Sequence, residues 1–357
     1  MSTTMRALRL HGARDARLET IARPSPGAGE VLLKVTGAGI CGTDAALHRA
    51  GPVIIPGRER ARWPVVLGHE FAGRVVETGP EVTGLRTGDL VASGAGAACG
   101  GCAPCRRGTT NLCEEYWTAG VHRDGGLAEY TVVPAAVCEE TGRYGVQGDT
   151  AALAQPMAIA QHAVSRGRPR AGESALILGA GGIGTFATWA ALAAGAGVTV
   201  CDRDAGRLAV VGGFGEVETV HHDGGPLVER LAPGGPWDVV YEMTGAPEPL
   251  AAATALVRPG GRIVVAGLQK EPPPVDVTRL AVQEIDLLGS MAHVRRVDLP
   301  RALELLGSRA AGWADVAPRV QPLDAVEAAL TSMAERGGGS VKTLVDPSLA
   351  EPRAFSG

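Results

Sequence analysis

The chain has 357 residues, of which 45% are hydrophobic, 20% are charged and 4% are aromatic, and its formal net charge is −4. This length fits two domains, and the composition is that of a globular protein with an aliphatic core. The small negative charge gives no sign of nucleic acid binding. The start, MSTTMRALRLHGARDARLE, is charged throughout, unlike a signal peptide. We therefore expect a cytoplasmic protein with its seven cysteines as thiols or metal ligands.

The predicted secondary structure changes near residue 150. Before it, short runs separated by Gly and Pro predict strands: EVLLKVTGAGI, VVLGHEFAGRVVETG, GDLVAS and GLAEYTVVP. After it, SALILGAG, VTVCDRD, WDVVYEMTGAP and GGRIVVAGL predict strands that alternate with helices, as in a parallel α/β sheet. Ser174 to Cys201 carries no charge, but its six glycines predict strand, turn, helix and strand rather than a membrane span.

Beyond about residue 290 the alternation of strands and helices becomes less regular. Helices are predicted near DLPRALELLGS and DAVEAALTSMAERG, and a strand near SVKTLVDP. We expect the tail SLAEPRAFSG to fray.

A glycine-rich turn in LGAGGIGT has the form G-x-G-x-x-G. Its residues are Gly179, Gly181, Gly182, Ile183 and Gly184. It follows a predicted strand and opens a helix, so the glycines would allow a tight turn, backbone contact with a pyrophosphate and close packing of helix on strand. The pattern predicts a dinucleotide site; the alternative is a glycine-rich turn without a ligand.

The identity of the dinucleotide depends on residues after the next strand. Asp202 ends that strand 23 residues after Gly179 and could accept hydrogen bonds from a ribose diol, which favours NAD. Arg203 and Arg207 could instead hold a 2′-phosphate, or they could be solvated surface residues. We favour NAD and leave NADP open.

Four cysteines are concentrated in ACGGCAPCRRGTTNLCE. They are Cys99, Cys102, Cys105 and Cys113, in the spacing C-x2-C-x2-C-x7-C. Four thiolates would saturate a tetrahedral zinc ion and leave no open position, so this site would brace a loop. Unbound thiols and a nucleic-acid-binding zinc ribbon are the alternatives, and the ribbon is disfavoured because only Arg106 and Arg107 lie between the ligands, without aromatic residues.

Two upstream motifs complete a family pattern. GICGTD contains Cys41, Thr43 and Asp44, and GHEFAGRVVETGPEV contains His69 and Glu70. Together with the cysteine cluster and the glycine fingerprint, they make the chain resemble the zinc-containing medium-chain alcohol dehydrogenases, and within them the sorbitol, polyol, threonine and glucose dehydrogenase branch. The resemblance runs from about residue 5 to 347.

The resemblance implies an α/β protein of two domains. A GroES-like, mostly β catalytic domain would cover residues 1–150 with a structural zinc lobe at 94–116, and a doubly wound Rossmann domain with a parallel sheet would cover 151–290. Residues 291–357 would return to the catalytic domain. Two zinc ions per chain are implied, one catalytic and one structural, together with a homodimer or homotetramer joined through edge strands of the Rossmann domain.

The resemblance also assigns roles to residues. It implies Cys41 and His69 as ligands of the catalytic zinc, Thr43 as the proton-relay hydroxyl, and Asp44 as the carboxylate that orients the histidine. Many relatives carry Cys or Glu where this chain has Gln155. A neutral Gln would leave the site at +1, so we expect Glu70 as the third ligand and Gln155 in weak or water-mediated contact; Glu70 as a supporting carboxylate is the alternative.

Other positions carry weaker expectations. The relay histidine of many relatives is replaced by Ala46, so His48 could substitute for it or could be a surface residue. Lys342 matches a position whose basic residue often reaches the cofactor phosphates, although a surface lysine is an alternative. Residues expected near the nicotinamide, at the ends of later strands, are Thr244, Ala266 and Leu268.

The implied reaction is hydride transfer between a secondary alcohol or polyol and NAD(P), with zinc as Lewis acid. A set of basic residues could bind an anionic substrate such as a hydroxy acid, phosphorylated polyol or phosphonate. The alternative is that these residues form a solvated surface. These residues are Arg49, Arg58, Arg60, Arg62, His293, Arg295 and Arg296. A zinc-independent quinone reductase is disfavoured by Cys41, His69 and Glu70, and a zinc- and dinucleotide-binding protein without turnover remains open.

Overall fold

The computed structural model describes residues 2–51, 63–269, 271–336 and 340–357. The chain forms two compact units: unit 1 contains Met1–Ala158 and Val294–Gly357, and unit 2 contains Ile159–His293. The first division falls inside a helix rather than at the predicted boundary of residue 150, because the turn before this helix lies against unit 1. There, a Cβ added to Gly37 would lie 3.1 Å from the Cβ of Ala152.

Strands make up the sheets of both units. In chain order they are β1 (Thr4–Gly12), β2 (Asp15–Ala22), β3 (Glu30–Ile40), β4 (Val65–Val66), β5 (Glu70–Thr78), β6 (Leu90–Ser93), β7 (Gly96–Ala97), β8 (Trp117–Thr118), β9 (Tyr130–Pro134), β10 (Cys138–Glu140), β11 (Ser174–Leu178), β12 (Gly197–Asp202), β13 (Val217–His221), β14 (Trp237–Glu242), β15 (Val257–Val265), β16 (Asp286–Gly289), β17 (Arg319–Gln321), β18 (Thr343–Val345) and β19 (Arg353–Ala354).

Helices connect these strands. In chain order they are α1 (Gly42–Ala50), α2 (Ala103–Arg106), α3 (Ala154–Gly167), α4 (Gly182–Ala193), α5 (Ala205–Gly212), α6 (Leu227–Leu231), α7 (Pro247–Leu256), α8 (Val277–Val282), α9 (Arg295–Ser308) and α10 (Val326–Arg336). The longest helices, α3 and α9, have 14 residues each, short of the roughly 20 apolar residues that a membrane span requires. Within the described ranges, therefore, no helix could cross a membrane.

Unit 1 is built mainly from antiparallel strands, as expected. One sheet has the order β2-β1-β4, and a larger sheet has the order β10-β6-β5-β3-β18-β17-β19, with β9 also pairing with β3. Its core is aliphatic, as the low aromatic content predicts, with Phe71 as a large exception among side chains such as Leu33, Val35 and Val75. The pairing of β3 with β5 sets Gly39 opposite Glu70, and this register brings two predicted motifs together.

Unit 2 is a parallel sheet with the strand order β13-β12-β11-β14-β15-β16. This is the doubly wound Rossmann arrangement, so the predicted fold class is confirmed for both units. The uncharged run from Ser174 to Cys201 forms β11, α4 and β12. The strand order reverses between β11 and β14, and the carboxyl ends of these two neighbouring strands are where such sheets bind ligands.

The C-terminal tail was expected to fray, and this expectation is wrong. The backbone of β19 pairs with β17, and the Arg353 guanidinium donates two hydrogen bonds to Asp149, at 2.6 and 2.7 Å. The backbone N–H of Ser356 also donates to Asp149 at 2.8 Å. A bidentate pair with a buried carboxylate fixes the tail, and its short polar sequence gave no sign of this distant partner.

Candidate active site

Asp44 holds together the two segments that carry the predicted zinc ligands. Its Oδ2 accepts a hydrogen bond from the backbone N–H of Cys41 at 2.9 Å, where α1 begins. Its Oδ1 accepts from the Gly68 N–H at 3.3 Å and lies 3.4 Å from His69 Nδ1. One buried carboxylate therefore fixes Cys41 and the 68–69 turn and faces one nitrogen of the His69 ring, as predicted for a residue that orients a ligand.

Cys41, His69 and Glu70 form a group with the geometry of a metal site. One ligand atom from each residue lies within 4.8 Å of the others. Zinc binds thiolate sulfur at about 2.3 Å and imidazole or carboxylate at about 2.0–2.2 Å, so these atoms need only small side-chain movements to share one ion. The exposed Thr43 lies beside them, with its Oγ1 3.9 Å from Cys41 Sγ.

The electrostatics of this group favour a cation. Burial lowers the pKa of His69, but the neighbouring Asp44 and Cys41 outweigh it and hold that pKa well above its usual 6.5. The Glu70 carboxylate is fully buried, and its Oε1 makes no hydrogen bond within the described part of the chain. A thiol, an imidazole and a carboxylate whose Oε1 has no hydrogen bond among the described residues fit a zinc ion.

Lys342 lies in this group rather than at a phosphate site. Its ammonium, 4% exposed, forms an ion pair with Glu70 Oε2 and is 3.5 Å from the Ile40 carbonyl. Burial lowers the pKa of Lys342, but the charges of Glu70 and Cys41 raise it overall. The expected contact with the cofactor phosphates is therefore replaced by a contact with Glu70. Gly39 leaves room for this pair, because a Cβ at that position would clash with Glu70 Oε2.

The other predicted residues of unit 1 have separate places. Gln155 is buried in the first turn of α3. His48 is not a surface residue: it is 5% exposed in α1, and its Nε2 has no hydrogen-bond partner among the described residues. The sequence did not indicate this burial, because the two residues that follow, Arg49 and Ala50, are exposed, although Leu47 before it is buried.

The four cysteines of the predicted lobe converge on one point. Their sulfur atoms all lie within 4.8 Å of one another, with Cys102 Sγ 3.4 Å from Cys105 Sγ and 3.8 Å from Cys113 Sγ. Backbone N–H groups of Cys99 and Glu115 donate to Cys113 Sγ. Hydrogen bonds from backbone N–H groups, first that of Glu114 and then that of Cys105, lower the pKa of Cys102 to about 6, whereas burial raises the pKa of Cys105 to about 12 and raises that of Cys113. Thiol clustering and backbone donors fit a closed zinc site.

The glycine fingerprint of unit 2 forms a cradle that larger residues would fill. Gly179 directly follows β11 with φ of +103°, and a Cβ there would lie 2.8 Å from Thr244 Cγ2. A Cβ on Gly184 would clash with the Gly179 carbonyl. Gly181 caps α4, and Gly182 and Ile183 begin it, so free N–H groups face the cradle as a pyrophosphate requires.

Asp202 ties β12 to this cradle. Its Oδ2 accepts from the Ala180 N–H at 2.6 Å, and its Oδ1 accepts from the Asp204 N–H at 2.8 Å. Arg203 is exposed. Arg207 has its Nε 3.8 Å from Asp204 Oδ2 and its Nη1 3.9 Å from the position of a Cβ on Gly181. Asp202, which could accept hydrogen bonds from a ribose, and Arg207, which could pair with a phosphate, thus lie at the same end of the sheet.

Two loops follow β14 and β15 at the carboxyl edge of the sheet. Thr244 is exposed in the first, and Ala266 and the 77% exposed Leu268 belong to the second. The Ala266 N–H donates to the carbonyl of Glu242, the last residue of β14. The sequence interpretation missed Glu242, although an acidic residue at the end of an apolar strand was a signal for it.

The basic residues considered for an anionic substrate differ in exposure and in their partners. Arg49 and Arg296 are exposed, and Arg295 is paired with Glu139 at 3.0 Å. His293 is buried. Three of them lie outside the described residues: Arg58, Arg60 and Arg62.

Comparisons with known proteins agree with this geometry. The model of the alcohol dehydrogenase GroES-like domain matches residues 27–142, and that of the zinc-binding dehydrogenase matches residues 182–308. An L-threonine 3-dehydrogenase of Bacillus velezensis is 36% identical over 74% of this chain and 76% of its own length. The chain belongs to the zinc-containing alcohol dehydrogenase family.

Two further relatives extend the match. Sorbitol dehydrogenase of Bacillus subtilis is 30% identical over 85% of this chain and 86% of its own length. A zinc-binding dehydrogenase of Sinorhizobium meliloti, solved with NADP bound, is 30% identical, has a TM-score of 0.86, and aligns over 97% of this chain and 100% of its own. The protein is a zinc-dependent oxidoreductase that transfers a hydride between an alcohol or polyol and NAD(P).

The chemistry of the site follows from its residues. A zinc ion held by Cys41, His69 and Glu70 would supply a Lewis acid for the substrate oxygen. Thr43 offers a hydroxyl that can take up and pass on the substrate proton, because it is exposed beside Cys41. The glycine fingerprint of unit 2 would bind and orient the dinucleotide that carries the hydride.

Proposed function

We propose that the protein oxidises a small neutral polyol or secondary alcohol, with NAD as the preferred cofactor. The single observation that carries this proposal is the convergence of Cys41, His69 and Glu70 within 4.8 Å, in a chain that also holds the glycine fingerprint. Relatives named for threonine and sorbitol support a small polar alcohol as substrate.

We infer that the chain holds two zinc ions with different tasks. Cys41, His69 and Glu70 would hold the catalytic ion, since their charges sum to zero with Zn²⁺, and Gln155 would contact it weakly or through water. The four lobe cysteines would hold the structural ion, because four thiolates leave no position for a substrate. The supporting observation is that each group of ligand atoms converges.

We propose that Thr43 begins the proton relay and that His48 serves as a later acceptor. The support for His48 is its burial and the unpartnered Nε2, within the described residues, on the helix that begins at Cys41. Replacing His48 with Asn should lower kcat several-fold at neutral pH without changing zinc content. An unchanged kcat would leave the relay to Thr43, the cofactor ribose and water.

The preference for NAD rests on Asp202. A carboxylate at the end of β12 suits a ribose diol and repels a 2′-phosphate. Arg203 and Arg207 support NADP, and a relative has been solved with NADP. We give Asp202 more weight because Arg207 is already close to the Asp204 carboxylate, which offsets its charge.

An anionic substrate receives less support from the described residues. Arg295 is paired with Glu139, which Arg143 also contacts, and only Arg49 and Arg296 of the described arginines in this set are exposed. The test is kinetic: a phosphorylated polyol and its neutral parent would be compared. A higher kcat/KM for the charged compound would favour the anionic class, and equal values would argue against it.

We further propose a cytoplasmic homo-oligomer. All seven cysteines are free of disulfides, as expected in a reducing compartment. The edge strand β16 has an exposed Leu287, and Val277 and Val282 are exposed in the adjacent α8. Among the described strands β16 pairs on one side only, and an apolar sheet edge of this kind favours pairing with a second copy, as in a dimer or tetramer. Light scattering of the purified protein would give the oligomeric state.

The decisive experiment is a panel of alcohols and polyols assayed with NAD and NADP in parallel. We expect alcohol-dependent formation of NADH that a chelator abolishes. A protein that binds zinc and dinucleotide but turns over no member of a broad panel would contradict the proposed reaction and support a binding role.

A further inference from the structure

Glu242 is the last residue of β14 and is completely buried at the carboxyl edge of the unit 2 sheet. Its Oε1 accepts hydrogen bonds from the backbone N–H groups of Thr244 and Gly245, at 2.7 and 3.0 Å, and from the Thr244 hydroxyl. Its Oε2 accepts from the side-chain amide of Gln269 at 3.0 Å. Both oxygens thus face donors, which suits a carboxylate.

These donors belong to two different loops. We call residues 243–246, after β14, the first loop, and residues 266–269, after β15, the second loop. The carbonyl of Glu242 also accepts from the second loop, through the N–H groups of Ala266 and Gly267 at 3.0 and 3.1 Å. A Cβ on Gly267 would lie 2.6 Å from Glu242 Oε2, so the second loop is closely packed on the carboxylate. One residue therefore joins both loops.

The first loop in turn contacts the glycine fingerprint. The Thr244 hydroxyl donates to Glu242 and accepts from the Ala246 N–H at 3.0 Å, so its single proton is committed to Glu242. Its methyl group faces Gly179, where a Cβ would lie 2.8 Å away. Because β11 and β14 are neighbours at the point where the strand order reverses, the two loops border the cradle on the side of the sheet that leads away from Asp202.

We propose that Glu242 is a positioning residue that holds the first and second loops in the shape that receives the nicotinamide half of the cofactor. The inference rests on the dinucleotide site of the proposed function. Glu242 makes no direct contact with the cofactor in this role; it acts through Thr244 and the second loop. All of its hydrogen-bond donors given above are neutral, so the geometry of the loops depends on the negative charge that attracts them.

The test compares a full cofactor with a probe that lacks the nicotinamide. Dissociation constants for NADH and for ADP-ribose would be measured by calorimetry on the zinc-loaded wild type and on Glu242→Gln. If the wild type prefers NADP, the pair is NADPH and 2′-phospho-ADP-ribose. Glu242→Gln keeps the volume but turns an NH₂ group toward donors. We expect NADH binding to weaken about tenfold, with ADP-ribose within about twofold of wild type.

A matched control lies on the same strand. Asp238, at the amino end of β14, accepts from the Ser174 N–H and hydroxyl at 2.8 and 2.9 Å. Asp238→Asn should lower stability but change neither dissociation constant. Glu242→Asp, which keeps the charge, should restore part of the NADH affinity. Equal weakening of NADH and ADP-ribose in Glu242→Gln, or no weakening of either, would overturn the proposal.

If Glu242→Gln does not fold, a second variant tests the same proposal. Gln269→Ala removes only the donor to Oε2 and should weaken NADH binding about threefold with ADP-ribose unchanged. Unchanged NADH binding would then overturn the proposal. Failure of the proposed function has a different signature, because the wild type would then bind neither dinucleotide.

Discussion

Lys342 and Glu70 form an ion pair in the interior of unit 1, beside Cys41 and His69. The ammonium meets Oε2, whereas Oε1 makes no hydrogen bond within the described residues. The same carboxylate can therefore pair with lysine through one oxygen and offer the other to zinc. Lys342 also keeps Glu70 from being an uncompensated buried charge when the metal is absent.

Loss of Lys342 should destabilise the zinc-free protein. Lys342→Met leaves the Glu70 carboxylate buried without its cation, so we expect the free energy of unfolding to fall by about 3–5 kcal/mol. The loss should be smaller with zinc bound, because the ion then compensates Glu70. Urea unfolding with and without zinc measures both values. Lys34→Met, at an exposed lysine, is the control and should change stability by less than about 0.5 kcal/mol.

The stability loss of Lys342→Met also tests whether Glu70 binds the zinc ion. The same loss with and without zinc would mean that the ion does not reach Glu70. The proposed third ligand would then have to be replaced by another group, with Gln155 as the first candidate.

Zinc stoichiometry should separate the two metal groups. His69→Ala and Cys102→Ala should each lower the zinc content from two ions to one per chain. His69→Ala should lower kcat/KM by about 10³-fold, because the Lewis acid is worth several kcal/mol. Cys102→Ala should lower the melting temperature and leave kcat of the folded fraction near wild type.

Elemental analysis and steady-state kinetics measure these quantities. Cys138→Ala is a matched control because Cys138 is a buried thiol outside both groups, and burial raises its pKa to about 12. A loss of both ions in either single variant would contradict independent sites.

Cofactor preference should change at Asp202. Asp202→Ala removes the acceptor for the ribose diol, so kcat/KM with NAD should fall about 10–100-fold, with a smaller loss for NADP. Arg207→Ala should lower kcat/KM with NADP more than with NAD. The measurement is the ratio of the two constants in each variant. An equal loss for both cofactors in Asp202→Ala would show that Asp202 acts only by holding the Ala180 and Asp204 backbone.

Stability should depend on Asp238 at acid pH. Burial raises its pKa, but hydrogen bonds from Ser174 and Arg258 outweigh this and hold that pKa below 3.8. Because the folded value lies below the unfolded one, the stabilisation is present above about pH 4 and is lost as the pH falls through the folded value. Asp238→Asn should be less stable at pH 7 and should lose less stability between about pH 5 and pH 3. Parallel acid curves for the two proteins would be the contrary result, and urea unfolding at stepped pH measures them.

Structural features that depend only on residues close together in the chain could be predicted from the sequence. The C-x2-C-x2-C-x7-C spacing predicted a cluster whose sulfur atoms converge, because a short loop with glycines can wrap one ion. The glycines of LGAGGIGT and their place between strand and helix predicted the turn after β11, because only Gly tolerates φ of +103° and the clash with a Cβ. Runs separated by Gly and Pro predicted a mostly β first part, and the alternation of strands with helices predicted a parallel α/β second part, whereas the GroES-like and Rossmann folds were implied by the family resemblance.

Contacts between distant segments were decided only by the tertiary structure. Nothing near Lys342 in the chain distinguishes a partner in Glu70 from a phosphate, and nothing near Asp149 announces the bond from Arg353. Such pairs form because sheet register and strand order bring their segments together, and neither depends on local propensity. A buried charge must then take the partner that the fold supplies, so the sequence by itself determined which groups are present, and the tertiary structure decided which of them meet.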